Sequence, residues 1–404
     1  MKLIPYRDAC ATLAGACTPG PEEAVSARRA LGAVASRPVI GAVASPAFNN
    51  AAMDGFAICT ADTAGATEGS PVELRVAGEL KVGAYAETAT PGSGCALRVA
   101  TGALTPPPLD TVVPLEQAAV IERSGATMLR FLKPVEQGRN LRIMGEEYPA
   151  GAAFDFTGKR VHAGHVALLS AAGIGELHVR TPPPLGLLTT GDEVRSPGAP
   201  LAPGEIANVN AAWMTAWCAE RRVPVAHAQH IRDDPGELAR GFQAACESGA
   251  RVLVSSGSAS AGKHDVLRGA LKELGARIVF HGVAMRPGKP ALFALLDDGT
   301  PVFGLPGNPL ATAAGMRFLV WPGIRAILAM PAEKPQRKPL AEPLDLREGY
   351  THFLLAHSSA ESEALKPVHP QRPGQASALA SAHCWLHLAG GRSEAGALAD
   401  SYPL

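Results

Sequence analysis

The stretch at 251–275 reads RVLVSSGSASAGKHDVLRGALKELG, and it predicts the fold of the region around it. Its apolar start at 252–254 is typical of a buried strand, and only small residues follow at 255–262. Four apolar residues then recur at the spacing of an α-helix: Val266, Leu267, Leu271 and Leu274. The stretch therefore predicts a strand, a loop and a helix.

The loop of small residues favours an anionic ligand. Without bulky side chains, backbone N–H groups can approach a ligand closely, and the positive end of the following helix adds to the attraction. Asp265 lies in the predicted first turn of that helix. Its carboxylate can either complement the helix dipole or take part in a site, and this stretch alone leaves both open.

Alternating strands and helices surround this stretch. After three prolines at 182–184, LGLLTT at 185–190 and VPVAHAQHI at 223–231 read as strands, with helices at 210–220 and 237–246. Two more apolar runs, at 276–285 and 290–296, precede PVFGLPGNP and a last helix that ends at Leu328. The order predicts a doubly wound, mostly parallel α/β domain over 181–328 with right-handed crossovers.

Acidic residues follow the predicted strands of this domain. In parallel sheets ligands bind beyond the carboxyl ends of the strands. Asp192 and Glu193 follow the first strand, and Asp233 and Asp234 follow the second. Each acid alone is more often a helix cap or a solvated turn residue. Together, beside the anion-binding loop and LPGNP at 305–309, they favour a phosphoryl-type site with Mg²⁺, which prefers oxygen ligands.

The first 180 residues predict two further domains. Residues 21–36 have the apolar stripe of a helix, and 162–172 predict a second helix. Short alternating runs at 71–135 predict an all-β unit, so residues 46–138 are interpreted as an insertion in a partly helical domain formed by 1–45 and 139–180. SPAFNNAAMDGFAI at 45–58 is expected to be too turn-rich for a core element.

Three side-chain groups in this half have competing interpretations. Asp54 precedes Gly55, and an Asp-Gly pair is usually a tight turn. Thr101 lies at a glycine turn, where its hydroxyl could bind its own backbone. His162 and His165 are three residues apart on a predicted helix, but without a third ligand nearby we do not predict a metal site.

Composition excludes several classes of protein. Lys plus Arg and Asp plus Glu both number 37, so no overall charge favours nucleic acid or a membrane surface. The seven cysteines are scattered and lack metal-ligand spacing, which is typical of a reduced, cytoplasmic protein. The sequence shows no secretory signal and no run of eighteen apolar residues, so we expect the protein to lie outside the membrane. The C-terminal part, 335–404, is expected to be a β domain of short strands without identifiable chemistry.

Six motifs resemble the molybdopterin molybdenumtransferase family, the MoeA and gephyrin E-domain group. In chain order they are SPAFNNAAMDGFAI, ATGA, TGDEV, SGSASAGKHD, MRPGKP and GLPGNP. The resemblance runs from about residue 20 to residue 400 and implies that molybdate is inserted into adenylylated molybdopterin, with Mg²⁺-dependent release of AMP. It also implies an elongated homodimer with shared active sites, and makes the molybdopterin adenylyltransferase a candidate partner.

The resemblance assigns roles to individual residues. Catalytic roles fall on Asp54, Thr101, Glu193, Asp265, Pro306 and Pro309. Contacts to the pterin substrate fall on Asp233, Ser256, Gly257, Ser258, Ser260, Gly262, Lys263, Lys289, Gly307 and Asn308. The Mg²⁺ ligands implied are Glu193, Asp233 and Asp265.

The chain departs from the family pattern in its loop. Ser258 replaces a glycine and Lys263 stands where an acid is expected, so freedom for positive φ is lost and the local charge changes by about two units. Two alternatives remain open on this basis. One is adenylyltransferase chemistry, although that sister family lacks the β insertion and the C-terminal domain. The other is a scaffold that kept the fold and lost the chemistry.

Overall fold

The computed structural model describes residues 2–83, 91–257, 266–358, 363–372 and 374–404. Short 3-10 helices lie at Thr60–Thr63 and Leu115–Gln117. The helices and strands of the first 180 residues are β1 (Ile4–Pro5), α1 (Tyr6–Ala16), β2 (Glu23–Ser26), β3 (Val34–Ala35), β4 (Val39–Ile40), β5 (Asn50–Ala51), β6 (Gly55–Ile58), β7 (Val72–Leu80), β8 (Cys95–Val99), β9 (Thr111–Pro114), β10 (Val120–Arg123), β11 (Ala126–Phe131), β12 (Leu141–Arg142), β13 (Ala153–Phe154), α2 (Ala163–Ala171) and β14 (Glu176–Arg180).

The helix predicted at 21–36 is wrong. Strands β2 and β3 occupy its two ends, and both pair antiparallel with β14. Gly32 between them has a φ of 87°, which no right-handed helix contains. The apolar stripe at 21–36 reflects burial of alanines under this small sheet. Helix α1, which buries Ala9 and Leu13, was not predicted.

The inserted unit is a six-stranded sheet with the order β10-β11-β7-β8-β6-β9, as the alternating pattern predicted. The expectation that 45–58 contains no core element is wrong, because β6 is buried and lies between β8 and β9. Gly55 begins β6, and a Cβ there would lie 2.1 Å from the carbonyl oxygen of Val113. The glycine of the Asp-Gly pair at 54–55 is therefore required by the close contact between β6 and β9.

The second half of the chain contains the α/β elements and the C-terminal strands. A π-helical turn lies at Met316–Val320. The elements are β15 (Leu185–Thr190), β16 (Val194–Arg195), β17 (Ile206–Ala207), α3 (Val209–Glu220), β18 (Val225–Ile231), α4 (Pro235–Glu247), β19 (Val252–Gly257), α5 (Val266–Glu273), β20 (Arg277–His281), β21 (Val283–Arg286), β22 (Leu292–Leu295), β23 (Pro301–Pro306), α6 (Pro309–Gly315), α7 (Trp321–Ile327), β24 (Gln336–Pro339), β25 (Leu344–Ser358), β26 (Leu365–Pro367), α8 (Ser377–Ser381), β27 (Cys384–Ser393) and β28 (Leu398–Pro403).

The central sheet of the α/β region has the order β18-β15-β19-β23-β22-β20. The first four strands pair in parallel, and only β22 runs in the opposite direction, pairing antiparallel with both β23 and β20, so the sheet is mostly parallel as predicted. Successive residues of a strand face opposite sides. Val252 and Val254 accordingly pack with α3 and α6, whereas Leu253 packs with α4 and α5. Helices cover both faces, which confirms the doubly wound architecture.

A second large sheet joins this region to the C-terminus, with the order β1-β21-β25-β27-β28-β24. The single apolar run predicted at 276–285 in fact spans β20 and β21, which belong to different sheets. Strands β25 and β27 have 15 and 10 residues, so the expectation of short strands is wrong for them. Strand β1 and helix α1 pack on β21 and α7, so the N-terminal residues lie with this region. The domain limits proposed from the sequence stay a prediction.

Candidate active site

A cavity of about 640 Å³ lies at the carboxyl ends of the parallel strands of the α/β region. Thr190 at the end of β15, Ser256 and Gly257 at the end of β19, and Pro306 at the end of β23 all line it. This is the edge at which parallel sheets bind ligands. The strand order of the sheet therefore creates the cavity.

Glu193 and Asp233 line this cavity together. Glu193 follows β15 and Asp233 follows its neighbour β18, so the sheet brings the two turns side by side. The backbone N–H of Asp233 donates a hydrogen bond of 3.4 Å to Oδ1 of Asp192, which links the turns. Two carboxylates thus lie on one wall of the cavity.

A chain of hydrogen bonds supports the turn before Glu193. Nδ2 of Asn208 donates to Oγ1 of Thr189 at 2.8 Å, and Oγ1 of Thr189 lies 3.1 Å from Nδ1 of His230. Nε2 of His230 lies 3.1 Å from the carbonyl oxygen of Gly191, an acceptor, so this nitrogen carries the proton. Gly191 has a φ of 140°, which only glycine adopts readily.

Two glycines let the end of β19 approach the ends of β15 and β23. A Cβ on Gly257, whose φ is 128°, would lie 2.5 Å from the carbonyl oxygen of Thr190. A Cβ on Gly307 would lie 3.2 Å from Cα of Gly257. Among the described residues no partner bonds the hydroxyl of Thr190, which is buried although Thr190 lines the cavity.

A second cavity of about 380 Å³ adjoins the first and shares Pro290, Pro306 and Asn308 with it. Arg286 and Lys289 line this second cavity, and the guanidinium of Arg286 lies 4.9 Å from the ring centre of Tyr350. Lys289 is therefore next to the carboxylate cavity rather than in it. The cationic side chains that line the second cavity therefore lie next to the cavity that holds the carboxylates.

Asp54 and Thr101 come together in the inserted β unit. Oδ1 of Asp54 accepts hydrogen bonds from the backbone N–H of Thr101 at 2.7 Å and from its hydroxyl at 2.8 Å. These bonds, with a smaller contribution from the charge of Arg98, lower the pKa of the Asp54 carboxyl. Within the described chain, no residue of this unit lines either cavity.

The remaining predicted site residues either line the first cavity or lie outside the described residues. Pro306, Gly307, Asn308 and Pro309 all line the first cavity, with Ser256 and Gly257. The other predicted residues lie outside the described part of the chain: Ser258, Ser260, Gly262, Lys263 and Asp265.

The described residues contain no group of three or more His, Cys, Asp or Glu side chains arranged for a metal ion. His162 and His165 stack with ring centres 3.7 Å apart, and each Nδ1 accepts a backbone N–H at the start of α2. These two histidines cap a helix. In the same described ranges, no helix has the length and apolar character needed to cross a membrane.

Comparisons with known proteins match both halves of the chain. Residues 4–173 match the family model of the MoeA N-terminal region (domain I and II), and residues 186–326 match that of a probable molybdopterin binding domain. The molybdopterin molybdenumtransferase of Synechococcus elongatus is 32% identical over 351 residues, which cover 86% of this chain and 85% of that protein. That of Bacillus subtilis is 32% identical over 356 residues, covering 86% and 81%.

The chain belongs to the molybdopterin molybdenumtransferase family. It is accordingly a transferase of molybdenum cofactor biosynthesis. The fold agrees, because the crystal structure of the molybdopterin biosynthesis MoeA protein from Pyrococcus horikoshii superposes with a TM-score of 0.81 at 26% identity, covering 100% of this chain and 99% of the other. The family resemblance inferred from the six sequence motifs is thereby confirmed.

Sequence reasoning missed three polar residues of this molybdopterin molybdenumtransferase cavity. Asn208 and Asn210 line it from the start of α3, and Thr190 lines it from the end of β15. Asn208 accepts a hydrogen bond from the N–H of Ala211 and so caps α3. An asparagine directly before a predicted helix is a recognisable cap signal, and it could have placed this helix start at the rim.

Proposed function

We propose that the chain inserts molybdate into adenylylated molybdopterin and releases AMP in a Mg²⁺-dependent reaction. The supporting observation is the cavity in which Glu193 and Asp233 lie beside the ends of three parallel strands. Carboxylates at such a rim suit a phosphate-bearing substrate that arrives with a divalent cation. All seven cysteines are free thiols, which agrees with the reducing cytoplasm that we propose as the location.

The described donor set fits Mg²⁺. This ion usually keeps several waters and is held by one or two carboxylates together with phosphate oxygens of the substrate. Glu193 and Asp233 supply two carboxylates in one cavity, and we propose Asp265 as the third ligand. When bound, the ion offsets phosphate charge and polarises a phosphoryl oxygen.

The chain's own residues bind and orient the substrate. Pro306 and Pro309 fix the backbone of the loop that forms one wall, because the ring of proline holds φ near −65°. Arg286 and Lys289 in the adjoining cavity attract the anionic groups of the pterin substrate and of molybdate.

We further propose a homodimer in which Asp54 and Thr101 reach the cavity of the partner. Neither Asp54 nor Thr101 lines the cavity of its own chain, and two apolar residues that precede Asp54 in sequence, Phe48 and Met53, are exposed by 44% and 41%. Exposed apolar residues also flank the cavity, where Ile206 is 53% exposed. Apolar surfaces of this kind are typical of interfaces. The adenylyltransferase that supplies the substrate remains a candidate partner.

Release of AMP from adenylylated molybdopterin, measured with and without molybdate and Mg²⁺, tests the proposed reaction. We expect release to require both. Release without molybdate would indicate nucleotide chemistry of the adenylyltransferase kind. A folded protein that releases no AMP under any condition would support a scaffold instead.

A further inference from the structure

Asn210 connects two walls of the carboxylate cavity. It lies in the first turn of α3 and lines the cavity. Its Nδ2 atom donates hydrogen bonds to Oγ of Ser256 at 2.9 Å and to the carbonyl oxygen of Gly307 at 2.7 Å. Ser256 lies at the end of β19 and Gly307 follows β23. One side-chain amide therefore uses both of its N–H groups to join three elements.

The hydroxyl groups next to Asn210 fix the direction of these bonds. Oγ1 of Thr312 donates to the carbonyl oxygen of Pro306 at 2.7 Å, which uses its only hydrogen. Oγ of Ser256 lies 2.9 Å from Oγ1 of Thr312 and 3.4 Å from the carbonyl oxygen of Pro306, and the shorter contact makes it the donor to Thr312. Ser256 is left to accept from Asn210, so the chain of donors runs from Asn210 through Ser256 and Thr312 to Pro306.

The amide also sets the orientation of the loop at 305–309. The peptide plane is rigid and trans, so turning the carbonyl of Gly307 toward Asn210 turns the N–H of Asn308 away from it. Asn308 lines both cavities. Its backbone donor thus takes its direction from a side chain on a different element.

We propose that Asn210 is a positioning residue, whose two N–H donors hold the strand end at Ser256 and the loop at Gly307 in their productive arrangement. This inference rests on the proposed function, because that function defines which arrangement of the strand end and the loop is productive. It requires a donor with two hydrogens at this position. A carboxylate of the same shape would lack both hydrogens and would repel the carbonyl oxygen of Gly307.

The test compares Asn210→Asp and Asn210→Ala, with Ala212→Asp as the control. Ala212 is exposed on the same helix and lines neither cavity, so this control adds a carboxylate without removing a donor. Hydrogen exchange at the backbone amides of Leu305, Gly307, Asn308 and Leu310 measures the position of the loop independently of activity. AMP release from adenylylated molybdopterin between pH 5 and pH 8 measures its consequence. Thermal unfolding of each variant confirms that it is folded.

We expect the amides to exchange about tenfold faster in both Asn210 variants, as loss of two ordinary hydrogen bonds implies. At pH 8 the kcat/KM of Asn210→Asp should fall about a hundredfold, the loss expected when a site is displaced by about 1 Å. Its activity relative to the unmutated enzyme should rise by at most about tenfold in all between pH 8 and pH 5, because only about a tenth of a carboxyl with a pKa near 4 is protonated at pH 5 and the protonated form regains one of the two donors. Asn210→Ala should show no such rise.

Two outcomes would overturn the proposal. They are unchanged amide exchange in both Asn210 variants and an equal loss of activity in Ala212→Asp. If the unmutated chain releases no AMP but the exchange rates change as expected, the proposed function fails while the positioning role of Asn210 stands.

Discussion

Asp54 and Thr101, which are 47 residues apart in sequence, are joined by two hydrogen bonds to a single carboxylate oxygen. The backbone N–H of Thr101 lowers the pKa of Asp54 most, and its hydroxyl adds to the effect. Removing the hydroxyl by Thr101→Val should therefore raise the pKa of Asp54 toward the ordinary value of about 3.9. Titration of the carboxyl carbon by NMR measures this shift, and Thr101→Ser, which keeps the hydroxyl, should show none.

The same bonds give stability a defined pH dependence. Because the pKa of Asp54 is lower in the folded state than in the unfolded state, its contribution is complete above the unfolded pKa and is lost as the pH falls through the folded pKa. The difference in unfolding free energy between the unmutated chain and Thr101→Val should then disappear at low pH. A difference that stayed constant between pH 6 and pH 2.5 in urea unfolding would contradict this reasoning.

Gly257→Ala should destabilise the protein through a steric conflict at the cavity wall. The new Cβ would lie 2.5 Å from the carbonyl oxygen of Thr190 and 2.6 Å from its hydroxyl, at a φ of 128°. Two causes act at Gly257, the positive φ and the contact with Thr190. Gly249→Ala tests the positive φ alone, because Gly249 has a φ of 93° but no atom within 4 Å of its Cβ position. We expect a cost of about 1–2 kcal/mol for Gly249→Ala and about 2–4 kcal/mol for Gly257→Ala, measured by urea unfolding. Equal costs would show that the contact with Thr190 adds nothing.

Asp233→Asn should raise the Mg²⁺ concentration that AMP release requires. The substitution keeps the shape of the side chain but removes the negative charge from the cavity wall. The neighbouring acid provides a matched control, since Asp234 caps α4 by accepting from the N–H of Glu237 and an asparagine can do the same. We expect at least about a tenfold increase for Asp233→Asn, consistent with loss of a charged ligand, and no change for Asp234→Asn. An equal response of both variants would argue against Asp233 as a ligand.

Strong local patterns made the α/β region predictable. Apolar runs with turn residues between them located β15, β18 and β19, and the rule for parallel sheets then placed Glu193 and Asp233 on one rim. The helix predicted at 21–36 failed for a complementary reason. Its alanines are buried by pairing with β14, a partner about 150 residues away, and that contact overrides the local periodicity.

Contacts between distant elements explain the site residues that the sequence did not reveal. Asn210 reads as an ordinary polar residue near a helix start, and only the fold shows that Ser256 and Gly307 lie within reach of its amide. Asp54 and Thr101 are assigned to the site only through the family resemblance, since local pattern alone makes Asp54 a turn residue, and the fold shows that Thr101 donates to it. Periodicity reports which face of an element is buried, whereas these contacts depend on how separate elements are arranged.

Asp54→Ala and Asp265→Ala, each inactive alone, should complement each other if the active sites are shared between subunits. The two variants are dissociated or unfolded together and allowed to reassemble. In a mixed dimer with shared sites, one site collects both defects and the other has none. Random pairing makes roughly half of the dimers mixed, each with one intact site, so AMP release should recover to about a quarter of the unmutated level. If each site is built within one chain, every site keeps a defect and the reassembled mixture stays inactive, which would exclude sharing while leaving the carboxylate cavity of the α/β region in place.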